Sequence, residues 1–207
     1  MAPTIRTGSI LSMLLATLAL LAACSSVPNP ERGIVDTEGL NEDDGIVFGT
    51  LVPQFYNSKG KPVGANDVPA IEYELYYGTA ESIGLKRAFT GFTESISANT
   101  RQPQTFFAMK LPAGEYSLFK LYRPFPGTTG YVPTDVRFTV EPKKATYIGS
   151  LQVEFRATRG LLGEERVGEK IALKVVDDAA TATRVYKERN PDAALDIVAN
   201  LMKVRRL

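Results

Sequence analysis

Ile71-Glu72-Tyr73-Glu74-Leu75 alternates apolar and charged side chains at every step. Successive side chains of a strand point to opposite faces, so this stretch predicts a strand with one face against a core and one in water. Working outward, the same period of two, broken by Gly and Pro, recurs over residues 46–52, 70–77, 105–111, 115–122, 135–140, 145–155 and 170–176. Residues 116–122 carry apolar side chains on both faces, which predicts a central or doubly covered strand. Leu111-Pro112-Ala113-Gly114-Glu115 reads as a tight turn, because Pro fixes φ at one corner and Gly accepts positive φ at another. Glu141-Pro142-Lys143-Lys144 reads as a second turn of this kind. The expected fold is mainly β: a two-layer antiparallel β-sandwich over residues 45–177, with one or two short C-terminal α-helices over 178–207 packed on it.

The helical end is read from different signals. Asp177-Asp178 precedes an alanine-rich stretch to about Arg189, and Asn190-Pro191 offers an N-cap with proline at the first position of a second helix. In that second helix Leu195, Val198, Leu201 and Met202 would share a face, at i, i+3, i+6 and i+7. Lys203, Arg205 and Arg206 would suit the negative end of its macrodipole.

Composition excludes much of enzymology. The chain has no histidine and a single cysteine, Cys24. Serine–histidine triads, cysteine–histidine dyads and His- or Cys-ligated zinc sites therefore cannot be built, and no internal disulfide can form. No G-x-S-x-G elbow, G-x-x-x-x-G-K or G-x-G-x-x-G motif occurs. No cofactor and no metal is expected, and the protein reads as a non-enzyme. Beyond residue 23, basic and acidic side chains are equal in number, 23 of each, which argues against a nucleic-acid partner.

Residues 1–23 read as a secretory signal, with Arg6 and no acid near the start and then the apolar run ILSMLLATLALLAA over residues 10–23. That run is shorter than the roughly 20 residues a spanning helix needs. Leu21-Ala22-Ala23-Cys24 resembles the bacterial lipobox. The resemblance implies cleavage between Ala23 and Cys24, diacylglycerol on the Cys24 thiol and an acyl group on its new amine. Several chains on one residue would hold the protein to a membrane essentially permanently. Ser25 in place of aspartate implies delivery to the outer membrane, with the domain facing the periplasm. Residues 24–44, acidic and punctuated by Pro and Gly, read as the lipidated N-terminus and a flexible tether. Leu111-Pro112-Ala113-Gly114-Glu115-Tyr116, with Phe138-Thr139-Val140-Glu141-Pro142 and Tyr147-Ile148-Gly149 downstream, is similar to prealbumin-like and carboxypeptidase-regulatory-like sandwich modules.

Few residues remain as candidates for chemistry. Glu42-Asp43-Asp44 could offer oxygens to calcium, but lacks the glycine-punctuated spacing of a calcium loop. Glu72 and Glu74 share a strand face, where a glycosidase-like carboxylate pair competes with an ordinary wet sheet face. Tyr73, Tyr76, Tyr77, Phe106, Phe107, Tyr116 and Tyr122 could line a platform for a sugar or peptide, although burial is the default for aromatics in strands. Residues 160–168, GLLGEERVG, would expose Leu161 and Leu162 at a contact site or fold them over the core. The expected function is a lipid-anchored, non-catalytic envelope lipoprotein that binds another envelope protein or assists assembly. The alternative is a cell-wall polysaccharide hydrolase or carbohydrate-binding protein using carboxylates and exposed aromatics.

Overall fold

The computed structural model describes residues 35, 37, 39–79, 94–125, 128–159 and 165–205, the side chains of 123–125, 128, 129, 158, 159 and 165–171 excepted. Two sheets face each other. In the first, β1 (Asp44–Tyr56) and β8 (Lys144–Arg159) run side by side in parallel at the centre. The outer edge of β1 carries β5 (Thr105–Pro112) and then the two-residue β2 (Pro62–Val63), both antiparallel to it. The outer edge of β8 carries β9 (Glu165–Val176), antiparallel, along residues 150–159. The second sheet is antiparallel throughout, in the order β11 (Lys203–Val204), β7 (Thr128–Val140), β6 (Gly114–Phe125), β3 (Glu72–Thr79), β4 (Glu94–Asn99).

The period-two reading explains the space between the sheets. Val47, Leu51 and Phe55 from β1, Val153 and Phe155 from β8, Tyr73 and Leu75 from β3 and Leu118 and Leu121 from β6 form one core. At one end of the first sheet the alternate residues are buried as well. Ile46, Phe48, Phe106, Ala108, Ala145 and Tyr147 form a second core on its outer face, with Ala182 and Tyr186 of the only α-helix among the described residues, α1 (Ala179–Arg189). The first seven residues of β1 after Asp44 are accordingly all buried, the pattern of a strand covered on both faces. Tyr186 stacks on Phe48 with ring centroids 4.5 Å apart. Thr50 donates a 2.7 Å hydrogen bond to Ser150, pairing the two buried hydroxyls that join β1 to β8.

Both expected turns form. Lys143 takes a left-handed φ of 56° in the turn between β7 and β8, and the Tyr116 hydroxyl donates to the Pro112 carbonyl across the turn between β5 and β6. A bulge interrupts the β1–β8 pairing at Gly49 and Gly149. A Cβ on Gly49 would meet the Gly149 carbonyl oxygen at 2.5 Å, and one on Gly149, where φ is 104°, would meet Val175 at 2.8 Å.

The second C-terminal helix does not form. Asn190 ends α1 by donating both its backbone N–H and its side-chain amide to the Tyr186 carbonyl. The chain then extends: β10 (Asp196–Ala199) pairs in parallel with residues 144–147 of β8, and β11 pairs with β7. Because β9 pairs β8 only from Ser150 on, a helix here would leave the β8 edge at 144–147 without a partner strand. Leu195, Ile197 and Leu201 pack on the second core and Met202 reaches the core between the sheets, an alternation that the helical reading of Leu195, Val198, Leu201 and Met202 missed. The Asn200 and Met202 amides donate to the Tyr147 and Ile148 carbonyls beside the bulge, so the segment ties one sheet to the other.

The described residues just before β1 pack on the domain, within the stretch 24–44 expected as the lipidated N-terminus and a flexible tether. Val35 and Leu40 pack on the second core. The Val35 amide donates to the Asn190 side-chain oxygen at 2.8 Å, Lys143 donates to the Leu40 carbonyl at 2.9 Å, and Lys110 donates to the Gly39 carbonyl. This strap, α1 and residues 193–201 together cover the end of the first sheet's outer face formed by residues 46–48, 106–108 and 145–147, while Arg156 and Lys174 at its other end are exposed.

Candidate functional site

Signal residues 1–23 and the lipobox Leu21, Ala22, Ala23 and Cys24 lie outside the described residues, as do Leu161 and Leu162. The other candidates separate according to sheet face. Tyr73, Tyr77, Phe107 and Tyr116 are buried between the sheets, and Phe106 is buried in the second core. They are packing residues. Asp44 turns inward to accept hydrogen bonds from the backbone and side-chain amides of Asn41, with the Lys110 ammonium 3.5 Å away. The Asn41 backbone bond is the largest influence holding its carboxyl below the ordinary range, ahead of the opposing burial and the Lys110 charge. Glu42 and Asp43 are exposed, and among the described residues no three His, Cys, Asp or Glu side chains group as a metal site.

Glu72 and Glu74 do share a face, the outer face of β3. In the register Glu72 lies opposite Asn99, and Glu74 lies between Ser97 on β4 and Tyr122 on β6. Neither has a carboxylate directly across from it. Glu74 instead accepts a hydrogen bond from Ser95 at 3.4 Å and from the Tyr76 phenol.

Around Glu74 the outer face of the second sheet carries a cluster that sequence reasoning identified only in part. Tyr76 on β3, Tyr122 on β6 and Tyr131 on β7 converge, with Tyr131 5.0 Å from Tyr122 and 6.4 Å from Tyr76 between ring centroids. Period two aligns them: Glu74 pairs with Tyr122 and Tyr122 with Tyr131, while Tyr76 pairs with Lys120 in the neighbouring row. The Lys120 ammonium sits 4.1 Å from the Tyr131 ring centroid, a cation–π contact. Tyr131 is 40% exposed, one of two large apolar side chains left so open among the described residues. Burial, then the hydrogen bond and charge of Glu74, push the Tyr76 phenol well above its ordinary range. Tyr131 lies before the strand expected over 135–140, whereas β7 continues through Pro133 back to Thr128.

Chemically, this cluster offers rigid amphipathic rings with the Lys120 ammonium and the Glu74 carboxylate beside them. Such groups suit recognition, since tyrosine contributes large contact area at low entropic cost. Among the described residues no helix is long and apolar enough to cross a membrane. No protein-family model, curated protein or solved structure matches the chain.

Proposed function

We propose that the chain is a non-catalytic, lipid-anchored envelope lipoprotein whose sandwich, of the prealbumin-like or carboxypeptidase-regulatory-like kind, presents the tyrosine face of its second sheet to another envelope protein. The observation that carries this reading is the asymmetry of the two outer faces. The aromatic end of one is covered by the strap, α1 and residues 193–201, and the other bears Tyr76, Tyr122 and the exposed Tyr131 without such a cover among the described residues. The lipobox Leu21-Ala22-Ala23-Cys24 supplies the anchor on Cys24, and Ser25 directs it to the outer membrane with the domain in the periplasm. The eleven peptide steps from Cys24 to Val35 span at most about 40 Å, and Val35 joins the domain on the side opposite the tyrosine face. Interfaces are enriched in tyrosine at their cores, which suits a protein partner.

A carbohydrate ligand, the alternative, also draws on the exposed Tyr131 ring, but Lys120 already covers a face on which a sugar would stack. A hydrolase acting through Glu72 and Glu74 has less support, given their neutral cross-strand neighbours.

The test places a photo-crosslinking amino acid at position 131 of the full chain in its native envelope, with position 187 on α1 as control. The reading expects a discrete crosslinked protein from 131 alone, lost when Cys24→Ala abolishes palmitate labelling. Labelling that persists in Cys24→Ala would refute the anchor, and identical crosslinks from both positions would refute the docking face.

A further inference from the structure

The basic residues Lys203 and Arg205 have no helix end to serve, because the chain carrying them is extended. β11 instead places Lys203 directly opposite Arg137 on β7, and Arg205 follows with its amide on the Asp135 carbonyl. Like charges directly across a ladder repel, so this pairing is costly unless something else lies between or beside them. All three cations line one depression of about 140 Å³, together with Glu115, Thr139 and Asn200. That volume is well below the roughly 300 Å³ at which drug-sized pockets begin, and suits a single compact group. Asp135 offsets part of the charge, taking the Arg137 Nε at 3.1 Å and a hydrogen bond from Ser117. Against three cations lining the depression, Glu115 is the one carboxylate that lines it.

We infer that the depression between β7 and the C-terminal strand is an anion site for a phosphoryl group, held by Arg137, Lys203 and Arg205. Arg137 presents a planar fork whose Nε is already oriented by Asp135, which leaves its terminal nitrogens as donors. Lys203 adds a mobile point charge, Arg205 a second fork, and Thr139 and Asn200 add neutral hydrogen-bonding groups. A bound anion removes the cross-strand repulsion, so binding also stabilises the β11–β7 pairing that closes the second sheet. The same chemistry could come from a free phosphate monoester or from the diester of a phospholipid headgroup.

The test is isothermal titration calorimetry of the full chain in nonionic detergent at constant ionic strength. One arm uses inorganic phosphate and the other glycerophosphoglycerol, the deacylated headgroup of an anionic phospholipid. Saturable binding is expected in at least one arm, weakened about tenfold or more in Lys203→Glu and in Arg205→Gln, as befits loss of a charged hydrogen-bond donor. Phosphate alone binding would identify a free monoester as the source, and the diester binding equally well would identify a headgroup. Lys203→Glu also creates an opposite-charge pair with Arg137, so its melting temperature should equal or exceed that of the parent. No saturable heat in either arm, or equal heats from the parent and Arg205→Gln, would overturn the inference.

Discussion

The two sheets are built from similar strands, yet their outer faces differ. On the first sheet Phe48, Phe106 and Tyr147 lie beneath α1 and the strap. On the second, the equivalent alternation places Glu74, Tyr76, Lys120 and Tyr122 outward, with Tyr131 open to solvent. An aromatic residue at an outward position is therefore not assigned a role by its strand. Its role depends on whether another segment returns to cover it, and here the segments that return come from the two ends of the chain.

Phe48→Ala should break the comparison most severely. Phe48 is fully buried and stacked on Tyr186, so truncation should cost about 3–5 kcal/mol of unfolding free energy in a urea titration. A loss of under 1 kcal/mol would mean that α1 covers the first sheet without contributing to its stability.

Asn190→Ala tests the strap. It removes the acceptor of the Val35 amide and one donor to the Tyr186 carbonyl, with an expected cost of about 1–3 kcal/mol and faster hydrogen exchange at Val35. Unchanged exchange at Val35 would show that apolar packing alone holds the strap.

The strap should also respond to acid. The folded pKa of Asp44 lies below its ordinary 3.8, so the unfolded chain binds the extra proton more readily. Its stabilising contribution is complete above pH 3.8 and is lost as the pH falls below that value towards the folded pKa. Asp44→Asn should flatten this part of the melting temperature–pH profile, and a profile as steep as the parent's would assign the acid sensitivity to other carboxylates.

The smallest stability effect belongs to the open face. Tyr131→Ala should cost about 1 kcal/mol, the loss of its ring and cation–π contacts on a half-open face, despite removing as large a ring as Tyr186 carries, while abolishing the proposed partner contact. A loss above 2 kcal/mol would show that the tyrosine cluster serves the fold.

What could be read directly was whatever a short window contains. Period-two alternation located the cores of seven strands, and the Pro and Gly positions located the turns before β6 and β8, because face alternation and turn dihedrals are local properties of the backbone. β4, Glu-Ser-Ile-Ser-Ala-Asn, escaped notice because only Ile96 and Ala98 of its six residues face the core, too weak a pattern without its partner β3. Glu74, Tyr76 and Tyr122 were visible as candidates, but their meeting with Tyr131 required the register of three strands. The C-terminal segment is the plainest case of tertiary control. Leu195, Val198, Leu201 and Met202 satisfy a helical spacing, while Leu195, Ile197 and Leu201 satisfy a strand spacing equally well, so side-chain pattern alone leaves both open. The decision came from the β8 edge left uncovered by β9, where an extended chain satisfies backbone hydrogen bonds on both partners and a helix would satisfy only its own.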